Sequence, residues 1–426
     1  MARISRTTLI WGAYALALLG LPLIADSGLG ATLLAQIGIA IIACLSFNLL
    51  LGQGGMLSFG HAVYSGMGAF FAIHTLNRIG IGLAFPVSLV PLAAGLGSAL
   101  LALPLGWVST RKAGNAFAMI TFGLGELVWA AALMFPEFFG GEAGVSGNRV
   151  AGSAVLGISF GPQIQAVYLI AVYTLGCTWL MYAFTQTPLG RLLNAVRDNA
   201  ERVAFVGYNP HQVRWLAFVV SAFFAGVAGG LAALNFELVT ADVLSAQRSG
   251  AYLLFTVLGG TGYFVGPIIG AVLLVLSFVM LSALTPAWLL YVGLMFVGMV
   301  LYAPGGVAAL LLARGRWLLA GGAWPALRWA NLGLLLAVGA ALTGFVALVE
   351  MVYRLQMLAA LGPLVPFFGW QLDVLQPVVW LGAGLLLLLG LAGWVWAHRR
   401  RRQCGPLLEG SSARRDGFNS HGTTRP

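Results

Sequence analysis

Side chains able to do chemistry are scarce in this chain of 426 residues, of which only 8% are charged. The largest group lies between residues 186 and 214, where Arg191, Arg197, Arg202 and Arg214 stand beside Asp198 and Glu201. Such a set can form ion pairs, either within its own loop or across an interface. Glu126 differs, because it is a lone carboxylate deep in an apolar run, where burying a charge is costly enough to make it a functional candidate. It could meet a substrate amine, brace a broken helix, or bond the backbone of its own Gly123-Leu-Gly-Glu126 turn. His61 and His74 each stand alone in helix-like surroundings, where packing is the commoner role. Cys44, Cys177 and Cys404 are scattered without metal-ligand or disulfide spacing, so no metal site is expected. Ser/His/Asp, Cys/His and paired-carboxylate patterns are missing, and Lys112, the only lysine, lies outside any Gly-x-x-x-x-Gly-Lys-Ser/Thr loop. The chain is therefore not expected to be an enzyme, nor to bind a cofactor or nucleotide itself.

The charged group needs an element to present it. Leu189, Leu192, Leu193, Val196, Ala200 and Val203 fall at helical spacing and make one apolar stripe. Arg197 with Glu201, and Asp198 with Arg202, stand at i,i+4 on the other side. Pro188 can open this helix, and Gly207 with Asn209-Pro210 can close it. A short amphipathic helix between two apolar segments requires a surface to lie on, and that surface is either lipid or another protein.

The flanking segments define the class. Sixty per cent of residues are hydrophobic and the mean hydropathy is +0.93. The apolar runs are long and continuous rather than alternating, which predicts helices and not a barrel. The chain reads as an all-α, polytopic helical membrane protein. Spans are expected near 8–25, 31–51, 60–76, 85–107, 115–135, 164–185, 215–236 and 287–304, with a broken segment over 250–284. The first run follows Arg3 and Arg6 like a secretory signal, but it lacks an Ala-x-Ala ending and reads as a retained span. Arg3, Arg6, Arg111, Lys112, the four loop arginines, Arg314, Arg316 and Arg328 share one face. Only Arg78, Arg149, Arg248 and Arg354 fall on the other, so the first face is expected to be cytoplasmic. The net charge of +10 follows this orientation and does not argue for nucleic acid.

Two apolar segments are interrupted by glycine, at Gly52-Gln53-Gly54-Gly55 and at Gly259-Gly260-Thr261-Gly262. Discontinuous helices in both halves of a chain point to a transport path, although small residues also simply let helices pack closely. Gly54, Gly55, Ser58, His61, Glu126, Gly259 and Gly260 are the residues expected along such a path.

Five stretches in series carry a family resemblance: Asn48 to His61 (NLLLGQGGMLSFGH), Ala118 to Glu126 (AMITFGLGE), Gly140 to Gly147 (GGEAGVSG), Pro188-Leu-Gly-Arg191 through Gly207-Tyr-Asn-Pro210, and Val257 to Gly262 with Gly266 to Gly270. The chain resembles the M-type permease subunits of branched-chain amino acid ABC importers over roughly residues 30–310. The resemblance implies a coupling helix that docks in an ATPase, at Gly190, Arg191, Arg197, Asp198, Glu201, Arg202 and Gly207. It also implies partners: ATPase subunits that hydrolyse ATP, a second, H-type permease, and a periplasmic binding protein. Glu142 and Arg149 in the external loop are candidates for meeting that binding protein. The location implied is a bacterial inner membrane, with both termini cytoplasmic.

The domain organisation expected is a permease core over 1–310, an extension over 311–398 and a basic, disordered tail over 399–426. In the extension, Trp329–Val349 and Pro377–Ala397 are each long enough to cross, and the apolar stretch 355–370 between them would lie in the interface or re-enter. The alternatives are an ABC permease for urea, short amides or aromatic acids, and a secondary transporter or channel that needs no ATPase. The second leaves the mixed-charge loop without a partner.

Overall fold

In lipid, a backbone must satisfy its own hydrogen bonds, and the apolar runs of this chain do so as helices. The computed structural model describes residues 6–24, 28–150, 159–319, 324–357, 362, 364–367 and 370–396. Arg3 and the basic tail from 399 lie outside them. In chain order, the first half holds α1 (Arg6–Ile24), α2 (Gly28–Asn48), α3 (His61–Gly80), α4 (Val90–Ser109), α5 (Asn115–Met134), the single turn α6 (Pro136–Phe139) and α7 (Gln163–Gln186). The loop helices α8 (Pro188–Asp198) and α9 (Ala200–Phe205) precede α10 (Pro210–Phe236), α11 (Ala246–Gly259), α12 (Gly266–Val275) and the short α13 (Ser282–Leu284). Then come α14 (Trp288–Tyr302), α15 (Gly306–Leu319), α16 (Trp324–Gln356) and α17 (Pro377–Trp396). Among the described residues, eight helices are long and apolar enough to cross a membrane. A ninth crossing arises if α14 and the start of α15, bent by 57°, count as one.

The expected spans are all helical, but three are not among the eight: α1, whose apolar part Thr8–Ile24 is short, α14, which counts only with the start of α15, and α3. α3 is not apolar enough to pass as a lipid-facing span, yet it is almost wholly buried, including Ser65, Tyr64 and His61. A helix shielded by its neighbours can carry polar groups that lipid would reject. Its neighbours are α4 and α10. α10 approaches through Gly226, Gly229 and Gly230, which face Ser98, the Ser65 carbonyl and Ala94 with Pro91 so closely that a Cβ would collide, and Gly68 of α3 is pressed against Gly226 in the same way. Small residues here replace the hydrophobic effect, which does little between helices in lipid, with close van der Waals contact. Ser98 of α4 locks the group by donating to the Tyr64 carbonyl at 2.8 Å. Outside the bundle, β1 (Val145–Ser146) pairs antiparallel with β2 (Leu238–Val239), Val145 opposite Val239.

Contacts divide the chain into two compact units, Met1–Ala283 with Val292–Leu312, and Leu284–Tyr291 with Ala313–Pro426. In the second, Gly344 and Gly390 bring α16 and α17 into backbone contact. Glu350 accepts hydrogen bonds from Thr285 and, at 3.0 Å, from Tyr291. Within the apolar stretch 355–370, Leu364–Phe367 forms β3, which pairs antiparallel with β4 (Trp370–Asp373) in a hairpin. Arg354 fastens it by donating to the Leu364 carbonyl. The β-branched and aromatic content of Leu-Val-Pro-Phe and Trp-Gln-Leu-Asp favours strands over a helical turn.

Candidate functional site

The 186–214 loop is built from two helices rather than one. Pro188 opens α8 beneath a Thr187 cap whose side chain accepts from the Gly190 amide. Asn199 leaves helical space (φ −159°, ψ 101°), and its side chain caps α9 by accepting from the Arg202 amide. The break cancels the expected i,i+4 pairs Arg197–Glu201 and Asp198–Arg202. Arg197 Nε instead pairs with its neighbour Asp198 at 3.1 Å. Asn199 wins because it can satisfy an orphan amide that a continuous helix would leave to the chain. The apolar stripe behaves as expected: Leu193, Val196 and Val203 are buried against Leu50, Met56 and α10. Arg191, Glu201 and Arg202 are exposed, as is Gly207, with φ +98°. Phe205 is 90% exposed and Val206 72%, with Tyr208 beside them. The sequence reading missed this apolar patch, although Phe205 falls out of phase with the stripe and could have signalled it.

The loop grips the first glycine break. Arg197 donates to the Gly52 carbonyl, and Asn194 Nδ2 donates to Gln53 Oε1 at 2.8 Å. Gly54 packs on Leu193, and Gly55, at φ +63°, lies flat against the Arg197 side chain. The Cα of Gly52 in turn faces the Thr261 carbonyl of the second break. α11 and α12 form a hairpin whose tip closes by contact of Gly259 with Gly266. Gly260 meets Gly305 and Gly306, at the bend between α14 and α15. Three interruptions therefore meet in one place, and the third, Ala303-Pro304-Gly305-Gly306, was not singled out from the sequence.

Of the residues expected along a path, Gly54, Gly55, Gly259 and Gly260 are absorbed in these close contacts. Ser58 and His61 are buried. The Ser46 hydroxyl donates to the Ala43 carbonyl and lies 2.9 Å from His61 Nε2. His61 Nδ1 and Ser58 Oγ have no partner among the described residues. Glu126 does line an opening, a cleft of about 490 Å³ shared with Trp129, Asp242, Gln247 and Arg248.

Arg149 is not free to meet a partner. It is buried, and its guanidinium donates to the carbonyls of Phe160, Gly161 and Leu234 and to Gln163 Oε1. Its backbone amide donates to Glu237 at 2.9 Å. It ties the loop to the end of α10, and Glu142 nearby is exposed. Among the described residues no group of His, Cys, Asp or Glu could hold a metal.

A many-span helical bundle whose charged loop holds the breaks of its own helices has the make-up of a transport permease. The comparisons with known proteins agree. Residues 30–304 match the family described as the branched-chain amino acid transport system permease component. The LivM permease protein of a high-affinity branched-chain amino acid transport system in Salmonella typhimurium is 31% identical over 291 residues, covering 63% of this chain and 67% of that protein. Its Escherichia coli counterpart is 30% identical over the same shares. No solved structure matches. The chain belongs to the branched-chain amino acid transport permease family and is a multi-pass permease component of the ABC importer type.

Proposed function

We propose that this chain is one half of the membrane domain of an importer that carries aliphatic amino acids into the cell. A second permease completes the domain, two ATPase subunits bind on the cytoplasmic side, one of them at the 188–208 loop of this chain, and a periplasmic binding protein delivers substrate outside. Both termini lie in the cytoplasm of a bacterial cell. ATP is hydrolysed by the partners, and this chain converts their closure into movement of its helices.

The observation that carries the reading is the grip of Arg197 and Asn194 on Gly52 and Gln53. A loop that moved with an ATPase would pull directly on the first break, and through Gly52 on the second. Rigid-body transmission needs such a packed and hydrogen-bonded link. The exposed Phe205–Tyr208 patch, with Glu201 and Arg202 beside it, offers an apolar anchor ringed by charge for an ATPase cleft.

The test is co-purification in detergent of this chain with its ATPase, second permease and binding protein, followed by uptake in proteoliposomes. The expected result is ATP-dependent uptake of leucine, isoleucine or valine, lost in the Arg197→Ala, Glu201→Ala double variant while insertion persists. Uptake by this chain alone under a solute gradient overturns the reading.

A further inference from the structure

The cleft that contains Glu126 carries charges of both signs that do not neutralise one another. Glu126 comes from the middle of α5, Asp242 from the turn before α11, and Arg248 from the first turn of α11. None of the three forms an ion pair or a side-chain hydrogen bond among the described residues. Glu126 is half-buried in the cleft, and Asp242 and Arg248 are exposed on its wall, so the opening presents charges of both signs to a ligand. The Trp129 indole N–H also lines the cleft, buried and without a partner among the described residues. The first turn of α11, where Ala246 and Gln247 line the wall, adds the positive end of a helix of 14 residues.

A second cavity, of about 260 Å³, adjoins it. Arg248, Ala251 and Phe278 line both. Its remaining wall is largely apolar and built from small residues, among them Ala40, Ala69, Ala228 and Ala232, with Val275 and Val279.

We infer that the cleft and the cavity together form a binding site for an α-amino acid with an aliphatic side chain. The substrate carboxylate meets Arg248 and the N-terminus of α11, the ammonium meets Glu126 and Asp242, and the side chain fills the small-residue cavity. A neutral amide would leave all three charges unmatched, and an aromatic acid would leave both carboxylates unmatched. The inference deepens the proposed function and rests on it for the direction of transport.

The assay is uptake of labelled L-leucine by proteoliposomes holding the complete importer, with unlabelled L-isoleucine, L-alanine, 4-methylpentanoate and 3-methylbutylamine as competitors. Wild type should be competed by isoleucine but not by the acid or amine that lacks half of the zwitterion. Arg248→Gln and Glu126→Gln should each lower leucine uptake about 10- to 100-fold, the weight of one charged hydrogen bond. Ala251→Leu, which narrows the cavity, should shift preference from leucine toward alanine by about tenfold. Co-purification of the ATPase confirms that each variant is assembled. If wild type imports leucine but the assembled Gln variants and Ala251→Leu match it in rate and preference, the site is wrong and the proposed function stands. If the wild-type importer takes up no amino acid, the proposed function falls and the site falls with it.

Discussion

Arg197 donates to the carbonyl of Gly52, a residue 145 positions earlier in the chain, at the point where the helix from α2 unwinds. Its aliphatic stem covers Gly55, so one side chain holds both ends of the break. Arg197→Ala should leave the break without its donor and remove about 1.5–3 kcal/mol of charge-assisted bonding. Uptake should fall at least about tenfold, while ATP hydrolysis by the assembled complex falls less. The ratio of ATP consumed to substrate moved checks this, and an unchanged ratio counts against a transmitting role.

Gly55 holds φ +63°, where a side chain is strained by about 1–2 kcal/mol, and a Cβ would collide with Arg197. Gly55→Ala should lower the melting temperature of the purified complex and reduce uptake. Combined with Arg197→Ala, the two losses should be less than additive, because the second change removes the collision. Simple additivity would mean that the two residues act separately.

Phe205 is exposed and packs little within this chain. Phe205→Ser should alter stability by no more than about 0.5 kcal/mol. ATPase co-purification should nonetheless drop several-fold, because a lost aromatic anchor is costly at an interface. Full recovery of the ATPase with this variant would place the docking surface elsewhere.

Arg149→Ala should destabilise the protein by about 3 kcal/mol, because it leaves the carbonyls of Phe160, Gly161 and Leu234 and the Gln163 side-chain oxygen without their donor. Thermal unfolding would register the loss. If instead stability holds and only affinity for the binding protein falls, Arg149 serves docking after all.

How much of this was legible in the sequence differs from element to element. The apolar runs announced nearly every helix, because lipid leaves the backbone no other way to satisfy its hydrogen bonds. The stripe from Leu189 to Val203 announced a buried face, and Leu193, Val196 and Val203 are buried. The break at Asn199 was not foreseen, since a capping residue and a helix-interior residue look alike until the partner amide is placed. The hairpin of Leu364–Phe367 with Trp370–Asp373 was likewise hidden in an apolar stretch.

Glu126 was recognised alone, as a carboxylate in the wrong medium. Its companions Asp242 and Arg248 lie more than 100 residues away, in a segment where charge is ordinary, so nothing local marked them. Arg149 shows the reverse: a charge in a glycine-rich external loop reads as exposed, yet it is buried beneath carbonyls that only folding supplies.

By itself, the sequence determined the medium, most of the helices, the two glycine breaks at 52–55 and 259–262 and the family, because composition and local pattern act over one or two turns. Only the tertiary structure decided that three breaks meet at Gly52, Thr261 and Gly305, that Arg197 spans to the first of them, and that Glu126 shares a cleft with Arg248. Those relations depend on backbone approaching backbone across glycine, at separations in sequence that no periodicity encodes.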